Sequence, residues 1–109
     1  MRYGKDRVRG SPGGLLLIRQ LVASGLWTAS AKVREFLDRS DYTDEDLECC
    51  VANGRVHKRE RDEYREAVDG SVYVIRGRAV AGHEFYAVGK ILRDEEGLYF
   101  RFITAHRAE

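Results

Sequence analysis

The apolar residues change period halfway along the chain, and this change limits the possible folds more than any other feature. Up to Asn53 they recur at helical spacing, whereas from Val72 onward they alternate with period two. A chain that is helical first and stranded afterwards is expected to lay its helices on an antiparallel meander, the α+β layer arrangement. With 109 residues there is room for one compact domain that buries a genuine core.

In the helical half, Leu17, Ile18, Leu21 and Val22 share one face, and Gly25 supplies a stop. Ser30 caps a second, short helix with Val33, Phe36 and Leu37 on its stripe. Thr43 caps a third, whose first turn carries Asp44, Glu45 and Asp46, where negative charge suits the helix dipole. That helix is expected to bury Leu47, Cys50 and Val51 and to end at Asn53-Gly54. The charged run from Arg55 to Glu66 fits a connection, a short strand or a helical turn equally well. Beyond it, Val72–Arg76, His83–Leu92 and Leu98–His106 read as strands, with turns over Gly77–Gly82 and Asp94–Gly97. The expected fold is therefore α+β, with N-terminal helices packed on a three- to four-stranded antiparallel sheet. Residues 15–109 form this single domain, and Met1–Gly14, basic, glycine-rich and holding the only proline, forms a flexible arm.

Charge and cysteine content narrow the class. Nineteen basic against eighteen acidic residues leave a net charge of +1, which excludes a histone-like polycation and an acidic tail while still permitting a basic face. Cys49 and Cys50 are adjacent, so they are poorly placed for a mutual disulfide and too few for a zinc site. One is expected in the core and one at its edge, reduced, as in a cytoplasmic protein. The N-terminal basic residues and Leu15–Ile18 imitate a secretion signal, but Arg19-Gln20 cut the apolar run short, and no stretch reaches the ~20 residues of a membrane span.

Phosphate-binding glycine loops, dinucleotide fingerprints, paired metal-ligand histidines and a serine nucleophile elbow are all missing from the sequence. No cofactor and no metal is expected. What remains is a set of basic and aromatic side chains near the strands. In the third strand, Phe100, Phe102, Thr104 and His106 alternate with Tyr99, Arg101, Ile103 and Ala105; the phenylalanine face is taken as the core side, with His106 on its last rung. Arg76, Arg78, Tyr86, Lys90 and Arg101, with His57, His83 and His106 at the margins, supply the parts for gripping RNA: cations for phosphate and an aromatic ring for an unpaired base. Metal-free RNA cleavage needs a base for the 2′-hydroxyl proton, an acid for the leaving 5′-oxygen and a cation for the phosphorane, roles suited to histidine and arginine. On these residue types alone, an ordinary charged surface is the commoner explanation.

The stretch from Ser30 to Arg107 resembles a small bacterial family catalogued as domain of unknown function 4258. The resemblance lies in the helix Ser30–Asp38, then Tyr42-Thr43-Asp44-Glu45-Asp46-Leu47, the closing Ala52-Asn53-Gly54, Tyr73-Val74-Ile75-Arg76-Gly77, Gly82-His83-Glu84-Phe85-Tyr86-Ala87-Val88, and Phe102-Ile103-Thr104-Ala105. That family is similar to the RelE, BrnT and MqsR toxins of bacterial toxin–antitoxin pairs, which cut mRNA without a metal and are neutralised by an antitoxin. The resemblance implies a RelE-like fold, mRNA as substrate (free or on the ribosome) and a cognate antitoxin as protein partner. It places the site on the concave sheet face and its rim. There His106 or His83 is expected as acid or base, and Arg101 and Arg78 are expected to hold the scissile phosphate. Lys58, with His57, Arg76 and Lys90, would bind the RNA, and Tyr86 would stack a base. One departure stands out: Lys32 occupies the position of the family's histidine and Phe36 that of the following arginine. The expected function is a toxin-like, metal-independent endoribonuclease of the mRNA-interferase type, or an RNA-binding protein, neutralised by a cognate antitoxin; a non-catalytic protein-interaction module, or an inactive toxin relative, is the alternative.

Overall fold

The computed structural model describes residues 14–108; the expected N-terminal arm, apart from Gly14, lies outside them. Helices α1 (Gly14–Ala23), α2 (Ala31–Asp38) and α3 (Asp44–Asn53) precede most of the sheet, with strand β1 (Trp27–Ala29) between the first two. Strands β2 (Arg55–Arg61), β3 (Ser71–Arg78), β4 (Glu84–Asp94) and β5 (Gly97–Arg107) follow. The sheet is five-stranded in the order β1-β5-β4-β3-β2, antiparallel except that β1 lies parallel to β5. The α+β arrangement is as expected; the strand count is higher because β1 was not foreseen and the ambiguous charged run is β2.

The helix ends follow the local chemistry. Ser30 accepts a hydrogen bond from the Val33 N–H and donates to the Ile103 carbonyl at 2.7 Å, so one side chain caps α2 and ties it to β5. Thr43 and Asp46 form a reciprocal capping box at the start of α3. Gly25, at φ 76°, turns the chain out of α1 in a conformation that disfavours other residues.

The helices cover one sheet face. Ile18, Leu21, Val22, Val33, Leu47, Cys50 and Val51 meet Tyr73, Ile75, Phe85, Ala87, Ile91, Phe100, Phe102 and Ala105 in a single buried cluster. Helix α3 approaches β3 closely: a Cβ on Gly77 would stand 2.2 Å from the Cys50 carbonyl oxygen. Cys50 is buried and Cys49 half-buried, as expected. Burial pushes the Cys50 thiol up to about 12, which keeps it protonated and unreactive.

Two bulges decide what the other face presents. Between β4 and β5 the register shifts so that Val88 pairs with Thr104 while Gly89 pairs with Phe102, leaving Ile103 as the extra residue. Strict alternation therefore fails there, and the expected phase is corrected beyond Phe102. Ala105 turns to the core, while Thr104 and His106 turn to the helix-free face. In β2 the shift between Val56 and Lys58 makes His57 the extra residue. Among the described residues, no helix is long and apolar enough to cross a membrane.

Candidate nucleic-acid interface

Cross-strand partners share a face, so the register reads out the helix-free surface in rows. One row runs Arg55, Arg76, Tyr86, His106 across β2, β3, β4 and β5. The next runs Lys58, Val74, Val88, Thr104, and at the free end Arg78 faces Glu84.

Tyr86 is the centre of the first row. The His57 ring lies 5.2 Å from it, centroid to centroid, in an edge-on arrangement. The His106 ring lies 5.1 Å away on the neighbouring strand. His57 reaches across β3 because it is the bulged residue of β2. The Arg76 guanidinium stands 5.5 Å over the same ring and donates to the Tyr86 hydroxyl at 3.3 Å. Both histidines are exposed, and Tyr86 is half-buried between them.

Arg76 is itself held. Its Nε and Nη2 both donate to Glu84 Oε1, at 3.1 and 2.5 Å, and Arg78 Nη2 stands 3.9 Å from Glu84 Oε2. Hydrogen bonding and charge from Arg76, then the charges of Arg78 and Arg55, hold the Glu84 carboxyl below its ordinary value. The same carboxylate raises the Arg76 pKa further. The backbone beneath is fixed by Asn53, whose Nδ2 donates to the Arg78 carbonyl and whose Oδ1 accepts from the Arg78 N–H.

The structure thus brings together His57, His106, Tyr86, Arg76 and Arg78, with Lys58 on the same face in an ion pair with Glu60 at 3.0 Å. It does not bring the other expected residues to them. His83 sits in the β3–β4 turn beside a hollow of about 340 Å³ that also borders Ser40, Asp41, Tyr42, Asp46 and Arg107. Arg101 lies on the open face, but Thr104 and the Ile103 bulge separate it from His106, and it donates to Thr28 Oγ1.

Lys90 is 4% exposed. Its ammonium lies 2.6 Å from Glu66 and 3.2 Å from Asp62, so it is committed to a buried ion pair and is withdrawn as an RNA contact. Burial alone would lower the Lys90 pKa, but the two carboxylates more than offset that and raise it. Lys32 is exposed on α2, in a separate hollow with Glu35, Phe36, Arg39 and Ser40. Phe36 stacks on Tyr42, which in turn stacks on Phe85. Phe36 is therefore a packing residue.

Sequence reasoning missed Glu84 and Arg55. The signal was present, since Glu84 lies two residues before Tyr86 on an alternating strand and so on its face. Arg55 was concealed in the run whose conformation spacing alone leaves open.

This set can hold and orient a phosphodiester. It offers two imidazoles for proton transfer, flanking an aromatic platform, and guanidinium donors beside them. Among the described residues, no group of three or more His, Cys, Asp or Glu side chains is arranged to hold a metal ion. Compared with family models, with curated proteins and with solved structures, the chain matches none.

Proposed function

We propose that this chain is a toxin-like endoribonuclease of the mRNA-interferase type, acting without a metal and neutralised by a cognate antitoxin. The observation that carries this reading is the convergence of His57 and His106 on Tyr86 beside Arg76, on an exposed sheet face. An interaction module needs no such pairing of proton-transfer groups. The toxin and antitoxin part of the reading rests on the resemblance of Ser30–Arg107 to domain of unknown function 4258 and the RelE-like toxins.

In this mechanism the RNA backbone lies along the first row with one unpaired base on Tyr86. One histidine takes the 2′-hydroxyl proton as the 2′-oxygen attacks phosphorus. The other gives its proton to the 5′-oxygen as the P–O5′ bond breaks. The products are a 2′,3′-cyclic phosphate and a free 5′-hydroxyl, so neither water nor an outside electron carrier enters the step. Arg76 would meet the charge that accumulates on the phosphorane oxygens. Arg78 and Lys58 grip the flanking phosphates.

The test uses purified full-length chain, single-stranded RNA and EDTA. Cleavage of RNA to cyclic-phosphate ends, with a 2′-deoxy version left intact, is the expected result, together with growth arrest and new RNA ends when the chain is expressed in bacteria. Intact RNA and normal growth would reject the assignment and leave the interaction module or inactive relative.

A further inference from the structure

We propose that the hollow framed by Arg55, Arg76 and Arg78 is a subsite for a phosphate of the RNA strand, and that Glu84, on its wall, engages Arg76 in the free protein as a stand-in for that phosphate. The proposal rests on the ribonuclease reading of the neighbouring histidines.

The hollow, about 120 Å³, is lined by Asn53, Arg55, Arg76, Gly77, Arg78 and Glu84. Three guanidiniums meet one carboxylate there, in a chain whose whole net charge is only +1. Three guanidiniums against one carboxylate leave a local excess of two positive charges at this corner of the sheet. Glu84 answers Arg76 with a single oxygen, Oε1, which accepts both Nε and Nη2, while its second oxygen is 3.9 Å from Arg78. Most of the fifteen or so N–H donors that three guanidiniums carry remain available. A phosphodiester has the paired oxygens that the guanidinium fork fits, and Arg at such a site gains more from phosphate than Lys would.

The frame is stiff and the occupants are not. Asn53 pins the Arg78 backbone through two hydrogen bonds, at 2.8 and 3.0 Å. Gly54 and Gly77 let α3 and β3 pack too closely for a Cβ at either position. By contrast, Arg55, Arg78 and Glu84 are exposed, so the carboxylate can swing away without disturbing the core. Arg76 joins the two sites, lying over the Tyr86 ring while its Nε and Nη2 face Glu84. Arrival of RNA phosphate would exchange Glu84 for substrate on Arg76, so the free enzyme holds its key cation in readiness at some cost in affinity.

Binding of a short, uncleavable 2′-O-methyl oligonucleotide tests this. Glu84→Gln is expected to bind about five- to tenfold tighter than wild type, with a salt dependence steeper by roughly 0.7 for each contact freed. Arg78→Ala added to Glu84→Gln should abolish the gain, and the charge-matched Glu45→Gln, at an exposed position of α3, should leave affinity unchanged. Titration with inorganic phosphate, followed at the Arg76 Nε–H resonance, should displace the carboxylate signal without RNA. Unchanged or weaker oligonucleotide binding by Glu84→Gln, while wild type cleaves RNA, would overturn the subsite and leave the ribonuclease reading standing. Tightening toward an oligoglutamate peptide but not toward RNA would also overturn it, assigning the hollow to an acidic protein partner. A wild type that neither binds nor cleaves RNA would remove both.

Discussion

Asp62→Ala gives the sharpest test of how the sheet's open face is held in shape. Asp62 is 3% exposed, and its carboxylate accepts the backbone N–H groups of Tyr64, Glu66 and Ala67 at 3.1, 2.8 and 2.7 Å. It also takes Lys90 Nζ at 3.2 Å. Truncation leaves the buried ammonium on the exposed Glu66 alone, 2.6 Å away, so this part of the loss falls below the ~3–5 kcal/mol of a fully broken buried pair. The three freed N–H groups add to this, though the loop's exposure lets water recover part of it. We therefore expect a loss of about 3–5 kcal/mol, a large share of the roughly 5–15 kcal/mol that holds a domain together. Urea unfolding followed by circular dichroism measures it directly. Asp62→Asn, which keeps an acceptor and loses the charge, should fall between the two. Burial alone would raise the Asp62 pKa, but the backbone donors and Lys90 outweigh it, and the folded value lies below the ordinary one. The stabilisation is thus complete above the unfolded-state pKa, about 4, and is lost as pH falls through the folded value. Wild-type stability should decline in that acid range, and Asp62→Asn should show a shallower decline. A loss under about 1 kcal/mol for Asp62→Ala would refute the view that this pair fixes the loop.

Other perturbations probe how the helices position the site. Gly77→Ala brings a Cβ to 2.2 Å from the Cys50 carbonyl, a backbone atom that cannot rotate away, so urea unfolding should show a loss of at least about 1–3 kcal/mol. Ser30→Ala removes both a cap and a tie to the Ile103 carbonyl; about 1–2 kcal/mol should be lost, and amide exchange should rise first around Ile103 and Thr104. A thiol reagent should label Cys49 alone in the folded protein and both cysteines in denaturant, as counted by mass spectrometry, because Cys50 is buried and its thiol is held at about 12.

The layer architecture was legible because its signals are local. Capping residues at Ser30 and Thr43, the stop at Asn53-Gly54, and alternation in β3 and β4 each report on a few neighbouring positions. What escaped depends on distant partners. β1 is only three residues long and exists because β5 lies beside it, so Trp27-Thr28-Ala29 carries no period of its own. β2 is an edge strand exposed on both faces, which erases the alternation that would mark it and suits an edge that must resist further pairing. The Ile103 bulge reversed the assignment of His106, since alternation cannot count an extra residue that only its partner strand reveals. Lys90 read as a surface cation because Asp62 stands 28 residues away in sequence. His83 and Arg101 fell out of the candidate site for similar reasons: one lies in a turn, the other beyond the bulge. The two histidines that do converge are each beside or on a bulged stretch, which places them on the face opposite the core.

The most direct measurement is kcat/KM for RNA cleavage, in EDTA, by wild type, His57→Ala, His106→Ala, the double variant and His83→Ala, with each fold checked by circular dichroism. If His57 and His106 act as acid and base around Tyr86, each single variant loses about 10²- to 10⁴-fold, and the double variant falls little further. His83→Ala then matches wild type, whose rate passes through a maximum with pH. Full activity in the His57 and His106 variants, or a loss confined to His83→Ala, would contradict the site on the open sheet face.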